Sequence, residues 1–207
     1  MKIAVVAANG RTGRLFVEEA LSAGHYVRAG IRDKNNLQNH PFLTVVPCDA
    51  TKTTDVIKLL QNQDVVCSFI GHVNASRPDV QAQATKTIVK VMRDLKINRL
   101  ISLTGTGVRF PGDKITLIDR VLNLGIGIID PDRVKDGIKH VDVLKNSDLE
   151  WTVIRVLKLQ NVQPRPFNLM INGPTKPYVS RLEVALAVLQ VIEQHSFVRE
   201  APIIGCG

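Results

Sequence analysis

Residues 5–15 run from an apolar segment through a turn of small residues into an amphipathic segment: Val5-Val6-Ala7-Ala8-Asn9-Gly10-Arg11-Thr12-Gly13-Arg14-Leu15. A turn with little side-chain bulk lets backbone N–H groups approach a pyrophosphate, and the N-terminus of the following helix adds partial positive charge. Gly10 would let the backbone lie near the phosphates, and Gly13 would let the helix pack against the strand. The segment therefore predicts a dinucleotide site, with a purely structural strand-to-helix turn as the alternative.

The first glycine of the G-x-x-G-x-x-G form of this turn is replaced by Ala7. Because alanine avoids the left-handed region, we expect φ below zero at this position. The hydroxyl of Thr12 can donate to the same anion. The cofactor-binding residues predicted at the turn are Ala7, Asn9, Gly10, Arg11, Thr12 and Gly13.

Strand and helix patterns alternate from this turn onward, and the strands are mostly continuous runs rich in Val and Ile. The predicted strands are Lys2–Ala7, Tyr26–Ile31, Leu43–Pro47, Asp64–Ile70, Arg99–Leu103 and Trp151–Val156. The predicted helices are Thr12–Ala23, Thr53–Gln61, Asp79–Leu95 and Pro131–Asn146. This alternation predicts the α/β class: a single doubly wound Rossmann-type domain with a mainly parallel sheet.

The pattern loosens after Val156, where Leu157–Tyr178 carries four prolines and is interpreted as an irregular crossing over the carboxyl edge of the sheet. Ser180 and Glu183 form a predicted capping box for a helix that continues through Ile192. Ala201–Ile204 is predicted as an edge strand. Residues 1–207 are thus interpreted as one domain, with substrate-side loops at 105–114 and 157–178.

Composition narrows the range of partners. The net charge of +8 comes from scattered Lys and Arg, and only 4% of the residues are aromatic, so little is available to stack nucleic-acid bases. No apolar run approaches the roughly twenty residues that cross a bilayer. Cys48, Cys67 and Cys206 show no metal-ligand spacing and suit a reducing cytoplasm. We therefore expect no metal site, no membrane partner and a cytoplasmic location, and we do not favour nucleic acid.

The second predicted strand ends in Ile31-Arg32-Asp33. Proteins selective for NAD often place a carboxylate here to accept from the adenosine ribose, whereas a guanidinium can hold a 2′-phosphate. Arg11 and Arg14 are expected nearby. Arg32 therefore favours NADP as the cofactor, with NAD as the alternative. The purely structural alternative is that Arg32 pairs with Asp33 to cap a loop and binds no cofactor.

The run Ala7–Arg14 followed by Ile31-Arg32-Asp33 resembles the atypical short-chain dehydrogenase/reductases of the NmrA-like group, which includes flavin/biliverdin reductase B-like proteins. Similar segments follow in chain order and span nearly the whole sequence: Pro47–Ala50, Asp64–Gly71, Ser147–Arg155 and Val179–Ala185.

The resemblance implies further cofactor-binding residues: Asp49 and Ala50 near the adenine, Ile70 and Gly71 near the ribose and nicotinamide, and Thr104, Arg155 and Val156 at the ends of later strands. Val156 departs from the proline that the family usually has there. Catalytic short-chain dehydrogenases protonate substrate with a Tyr held beside a Lys four residues on. Neither Tyr26 nor Tyr178 has such a lysine, so that pair is absent.

Thr104 and His140 are the candidates to orient or protonate an acceptor. Imidazole titrates near neutrality, which favours His140 as the acid. The alternative for His140 is a surface histidine in the basic stretch Lys135–Lys145, and Thr104 could simply end a strand or line the nicotinamide pocket. Arg109, Lys158 and Arg165 would make the mouth of the cleft basic, so the expected acceptor is a small, anionic molecule.

Three functions remain open from the sequence. The first is an NADP(H)-dependent reductase of a small flavin-like or quinone-like acceptor, in which the bound dinucleotide supplies hydride. The second is a redox sensor or regulator that binds the dinucleotide without turnover, which the missing Tyr–Lys pair favours. The third, a nucleic-acid-binding module, rests on charge alone.

Overall fold

A computed structural model describes residues 1–73 and 76–206 of the chain. Its strands are β1 Lys2–Val6, β2 Tyr26–Ile31, β3 Leu43–Pro47, β4 Val65–Ser68, β5 Arg99–Gly105, β6 Glu150–Val156, β7 Leu159–Gln160, β8 Phe167–Met170, β9 Val179–Ser180 and β10 Ile203–Cys206. Its helices are α1 Arg11–Ser22, α2 Thr53–Leu60, α3 Val80–Asp94, α4 Leu117–Ile129, α5 Pro131–Lys145 and α6 Arg181–Glu193.

The main sheet has the strand order β3-β2-β1-β4-β5-β6-β10-β8, and every pairing in it is parallel except that of β10 with β8. The strand order reverses direction around β1, which pairs with β2 on one side and β4 on the other. In open α/β sheets this reversal opens a crevice at the carboxyl ends of the strands, where ligands bind. The predicted doubly wound Rossmann-type fold is confirmed.

Helices cover both faces of the sheet, and alternate side chains of β1 supply the two cores. Ile3 and Val5 face the layer formed by α1 and α6, whereas Ala4 and Val6 face the layer that contains α2, α3 and α5. Burial on both faces explains why the strands are apolar runs rather than alternating patterns.

Two expectations about the C-terminal part are wrong, and one helix was missed. The crossing at 157–178 contains two short strands, β7 and β8, and β7 pairs with β9 in a separate two-stranded sheet. The final strand is β10, which lies between β6 and β8 instead of at the edge. Helix α4 was not predicted, because its apolar side chains face outward rather than toward a core.

The capping box at α6 is half formed. Ser180 Oγ accepts from the N–H of Leu182 at 3.3 Å, as predicted. Glu183, however, is fully buried and accepts instead from Arg165 N at 2.8 Å and from Lys176 Nζ at 3.4 Å. Its carboxylate therefore fastens the 157–178 crossing to α6 rather than capping the helix.

Candidate functional site

The glycine turn lies at the carboxyl end of β1, beside the strand-order reversal. Ala7 has φ of 58°, so the expectation of a negative φ is wrong. Two hydrogen bonds hold this left-handed residue in place: Ala8 N donates to Gly30 O and Gly10 N donates to Ala7 O, both at 3.0 Å. The turn therefore has the geometry of a glycine-containing turn although alanine occupies this position. The left-handed conformation costs an alanine roughly 1–2 kcal/mol.

Gly13 permits the close contact between α1 and the turn. A Cβ at this position would lie 2.6 Å from Ala7 O and 2.9 Å from Ala8 O, and both atoms belong to the backbone. Position 13 therefore requires glycine, as the sequence predicted.

The N-terminus of α1 is open to an anion. Gly10 is its N-cap residue, no side chain caps it, and its first turn contains no acidic residue. By contrast, Thr116, Asp130 and Ser180 cap α4, α5 and α6. No side chain of the described residues therefore caps the first-turn amides of α1 or neutralises its partial positive charge. A free helix N-terminus of this kind can bind a pyrophosphate.

Arg32 follows β2 at the same edge of the sheet, and 62% of its side chain is exposed. Its Nε lies 3.4 Å from Asp33 Oδ2, so the Arg–Asp pair exists, but a pair this exposed leaves the guanidinium accessible. Asn9 Nδ2 donates to Lys34 O at 2.8 Å, which ties the glycine turn to the loop that carries Arg32.

Asp49 follows β3 next to Arg32. Its Oδ1 accepts from Thr51 N at 3.0 Å and from Thr51 Oγ1 at 2.7 Å. These hydrogen bonds, helped by the charges of Lys52 and Arg32, lower the pKa of the Asp49 carboxyl. An ionised acceptor therefore stands where the resemblance places the adenine amino group.

A cavity of about 770 Å³ opens beside the N-terminus of α1. Three arginines, Arg11, Arg14 and Arg181, line it together with one carboxylate, Glu18, and with Asn161 and the residues that follow Asn161. Arg181 is only 7% exposed and donates to Asn161 Oδ1 at 2.7 Å. Burial and the charge of Arg11 lower the pKa of Arg181, and no carboxylate pairs with it among the residues that the structure describes. This concentrated positive charge suits the phosphates of a dinucleotide.

The carboxyl end of β4 leads to Ile70 and Gly71, where a Cβ on Gly71 would meet open space. The next residue, His72, places Nε2 2.8 Å from Asp136 Oδ2. The buried Asp136 carboxylate also accepts from Gln81 N at 2.8 Å and Ala82 N at 2.9 Å. Asp136 therefore occupies the N-terminus of α3, so α1 is the better placed of these two helices to receive a phosphate.

Thr104 and Ser102 lie on the side of β5 that faces α5, the helix that carries His140. Thr104 Oγ1 lies 2.8 Å from where a Cβ on Gly137 would be, and His140 Nε2 lies 3.0 Å from Ser102 Oγ. His140 is buried, so its interpretation as a surface histidine is wrong. Burial also lowers the pKa of His140 to about 4, so the ring is neutral at pH 7 and titration near neutrality no longer supports it as an acid. Participation of either residue in catalysis stays a prediction.

The Arg155 side chain donates only to protein atoms in the described structure, and its role in cofactor binding stays a prediction. Its side chain is fully buried, and Nη1 and Nη2 contact the two carboxylate oxygens of Asp113 at 2.6 and 2.8 Å. The remaining donors bind backbone carbonyls, and all five N–H groups are used; the acceptors are Ala201 O, Val108 O and Ile171 O. Arg155 joins the loops 105–114 and 157–178 to the segment just before β10. Val156, at the end of β6, accepts through its carbonyl from Thr106 N at 3.0 Å.

The mouth of the cleft is less basic than expected. Arg109 forms an ion pair with the buried carboxylate of Asp119, which neutralises its charge. Arg165 stacks over the ring of Tyr178 at 4.5 Å, and Lys158 is exposed. The two loops meet directly, since Lys114 N donates to Asn172 O at 2.8 Å.

Two residues of this region were missed from the sequence. Arg181 stood inside the Val179–Ala185 segment used for the resemblance, but its place in the cavity depends on the fold. Asp136 sat in a basic helix, where nothing marked it as a capping group for α3. Residues 1–73 and 76–206 contain no cluster of His, Cys, Asp and Glu fit for a metal ion, and no helix there is long and apolar enough to cross a membrane.

Sequence comparison matches residues 7–195 to the model of a family described as NAD(P)H-binding. The Bacillus subtilis protein YwnB is 22% identical over 202 residues, covering 93% of this chain and 92% of YwnB. The Arabidopsis thaliana chloroplast protein TIC 62 is 27% identical over 176 residues, which cover 73% of this chain but 26% of that protein.

Solved structures share the fold at low identity. A short-chain dehydrogenase/reductase from Veillonella parvula in complex with NADP has a TM-score of 0.83 at 18% identity, with 99% of this chain and 94% of that chain covered. A Streptococcus pneumoniae protein described as a candidate NADH-flavin reductase has a TM-score of 0.73 at 21% identity, with 99% and 98% covered. The NAD(P)-binding Rossmann-type resemblance seen in the sequence is confirmed. With the open α1 N-terminus, the basic cavity and a family match over most of its length, the chain belongs to the NAD(P)H-binding family.

Proposed function

We propose that this protein is an NADP(H)-dependent oxidoreductase of the atypical short-chain dehydrogenase/reductase type that acts on a small flavin-like or quinone-like acceptor. The observation that carries the proposal is the uncapped N-terminus of α1, with Arg11 and Arg14 beside it and Arg32 exposed at the end of the neighbouring strand. Two similar proteins, one crystallised with NADP and one described as a flavin reductase, also support the proposal.

In this proposal Gly10, Arg11 and Gly13 would hold the pyrophosphate, Arg32 the 2′-phosphate and Asp49 the adenine. Ile70, Gly71 and Thr104 would border the nicotinamide. The bound dinucleotide supplies the hydride. The protein needs only to position the acceptor, which matches a site whose candidate acid, His140, is buried and neutral at pH 7. Lys158 and Arg165 favour an acceptor that carries negative charge.

Calorimetric titration with NADPH and NADH tests the cofactor assignment. Replacing Arg32 with Asp removes the charge-assisted contact to the 2′-phosphate, so we expect NADPH affinity to fall about 10- to 100-fold while NADH affinity changes less than about 3-fold. The matched control is Arg133→Asp on α5, another exposed arginine paired with an aspartate. Equal affinity of the wild-type protein for NADPH and NADH would contradict the NADP assignment.

A sensor that binds the dinucleotide without turnover is the second candidate. The observation that favours it is the burial of His140 against Ser102, which leaves that ring without access to an acceptor in the observed arrangement. The assay is loss of NADPH absorbance with flavin mononucleotide and with a benzoquinone. Acceptor-dependent oxidation supports the reductase, and tight NADPH binding without oxidation supports the sensor.

A further inference from the structure

Helix α4 directs two polar side chains, Asp119 and Asn123, toward the rest of the protein. Asp119, a residue of α4, is buried against the rest of the protein. Its carboxylate accepts from Thr106 Oγ1 at 2.7 Å and from Asn123 Nδ2 at 2.7 Å, and it also forms an ion pair with Arg109. A surface helix of a globular protein normally turns its apolar side inward and its polar side to water. Helix α4 departs from this rule, because large apolar side chains face water while the Asp119 carboxylate faces inward.

The outward side of α4 carries six large apolar side chains with between 51% and 86% of their areas exposed. They are Leu117, Ile118, Val121, Leu124, Ile128 and Ile129. Single exposed apolar residues are ordinary, but a contiguous apolar patch of this kind marks an interaction surface. We call these six residues the α4 patch.

The spacing within the patch fits a second helix of the same kind. Leu117, Val121, Leu124 and Ile128 repeat at intervals of four, three and four residues, which is the a/d seam of helices packed side by side. About a two-fold axis, Leu117 of one copy would meet Ile128 of the other, and Val121 would meet Leu124. Such an isologous contact is self-complementary and closes on itself.

The exposed area is adequate for this contact. The six side chains leave roughly 700 Å² accessible, near the ~800 Å² that each partner contributes to a standard protein interface. Gly125 and Gly127 also lie on α4 with open space where a Cβ would be, which lets another backbone approach. Glycines inside a helix weaken it by about 1 kcal/mol each, so packing has to support α4.

The charge of the helix favours another copy over a lipid surface. Helices that lie in a membrane interface carry many Lys and Arg on their polar side. The sequence of α4 contains one cation, Arg120, and its polar side holds the buried Asp119. A carboxylate facing inward and a nearly uncharged outer side do not match an anionic bilayer.

We propose that the α4 patch is the interface of a homodimer in which the two α4 helices pack antiparallel about a two-fold axis. The assignment is independent of the proposed redox function. It gives the helix an apolar partner on the side where its own chain provides none.

Sedimentation equilibrium of the full chain tests the proposal. The wild-type protein is expected to be a dimer, and Leu124→Glu is expected to raise the dimer dissociation constant about 30-fold or more, because it places a charge in the seam. The matched control is Ile57→Glu on α2, a helical isoleucine that is 38% exposed outside the patch and should leave the dimer intact. Circular dichroism checks that each variant is folded.

A cross-linking variant covers the case in which Leu124→Glu fails to fold. The antiparallel register predicts that Val121→Cys combined with Leu124→Cys forms an intermolecular disulfide on oxidation, seen as a covalent dimer on a non-reducing gel. Wild-type protein that stays monomeric over a wide concentration range would overturn the proposal. Monomeric protein that co-sediments with vesicles of phosphatidylcholine and phosphatidylserine would overturn it in favour of a membrane surface.

Discussion

His140 shows how burial changes the chemistry of a single residue. Its Nε2 contacts Ser102 Oγ, while Nδ1 is buried without a hydrogen-bond partner in the described structure. A proton on this ring would have to be desolvated, and that cost lowers the pKa from 6.5 to about 4. The ring is therefore a neutral core group at physiological pH.

A pH-dependent stability follows from the shifted pKa of His140. Because the folded pKa is about 4 and the unfolded one 6.5, the unfolded chain takes up a proton between these values and the folded protein does not. The stabilisation is present above pH 6.5 and is lost as the pH falls toward 4, by about 3 kcal/mol in total. Urea unfolding of wild type and His140→Gln across this range should show their difference in free energy of unfolding shrinking as the pH falls.

The control for this measurement is His195→Gln, since the His195 side chain is 63% exposed. The change in the free energy of unfolding caused by His195→Gln should vary less with pH than the change caused by His140→Gln. Parallel curves for His140→Gln would contradict the shifted pKa.

At the scale of elements, Asp136 of α5 joins two helices by capping α3. Its carboxylate accepts from two first-turn amides of α3, at Gln81 and Ala82, and also contacts His72. Charge-assisted bonds to helix N-terminal amides are among the stronger hydrogen bonds in proteins. The orientation of α3 against α5 therefore depends on one buried side chain.

We expect Asp136→Asn to lower the free energy of unfolding by about 2–4 kcal/mol. The asparagine side chain has one acceptor oxygen instead of two, and its NH₂ group would face a backbone N–H that needs an acceptor. Asp132→Asn, an exposed change on the same helix, should cost less than about 1 kcal/mol. Hydrogen exchange should speed up selectively at the Gln81 and Ala82 amides. Equal effects of the two substitutions would show that the cap is not formed.

The sequence predicted β2 and β3 to the residue and placed most other early elements within two residues of their observed ends. Strands covered on both faces are apolar throughout, so their pattern is visible without the fold. Helix α4 was hidden because its apolar stripe does not face the core. Strand β8 was hidden because it lies inside a proline-rich crossing, and missing β8 made β10 look like an edge strand.

The same distinction applies to the site. Gly13 and Arg32 act through local backbone geometry and position at a strand end, which the sequence contains. The contacts of Arg155 and His140 depend on segments far away along the chain, such as Ala201 and Ser102. A local motif therefore suffices to predict a phosphate-binding end, whereas the partners of buried polar groups required the structure.

At the scale of the whole molecule, a ligand that binds only the folded state stabilises it in proportion to the logarithm of its concentration. NADPH at about 100 times its dissociation constant should add about 2.7 kcal/mol and raise the Tm by roughly 5–10 °C. Gly13→Ala should abolish most of this shift, because its Cβ collides with two backbone carbonyls of the turn. Differential scanning calorimetry with and without NADPH measures both effects.

Gly127→Ala on α4 serves as the control, since its Cβ would meet open space. This variant should keep the full NADPH-dependent rise in Tm. A Gly13→Ala protein with an undiminished rise would show that the turn does not bind the dinucleotide.

The position of β10 has a consequence for synthesis of the chain on the ribosome. Residues 203–206 pair with β8, Ile203 also pairs with β6, and Ala201 supplies one of the acceptors that satisfy the Arg155 guanidinium. While this segment is still inside the exit tunnel, β6 lacks its neighbour and the buried cation lacks a ligand. The nascent domain can therefore form the half of its sheet around β1 early, but it completes the other half only after these residues emerge.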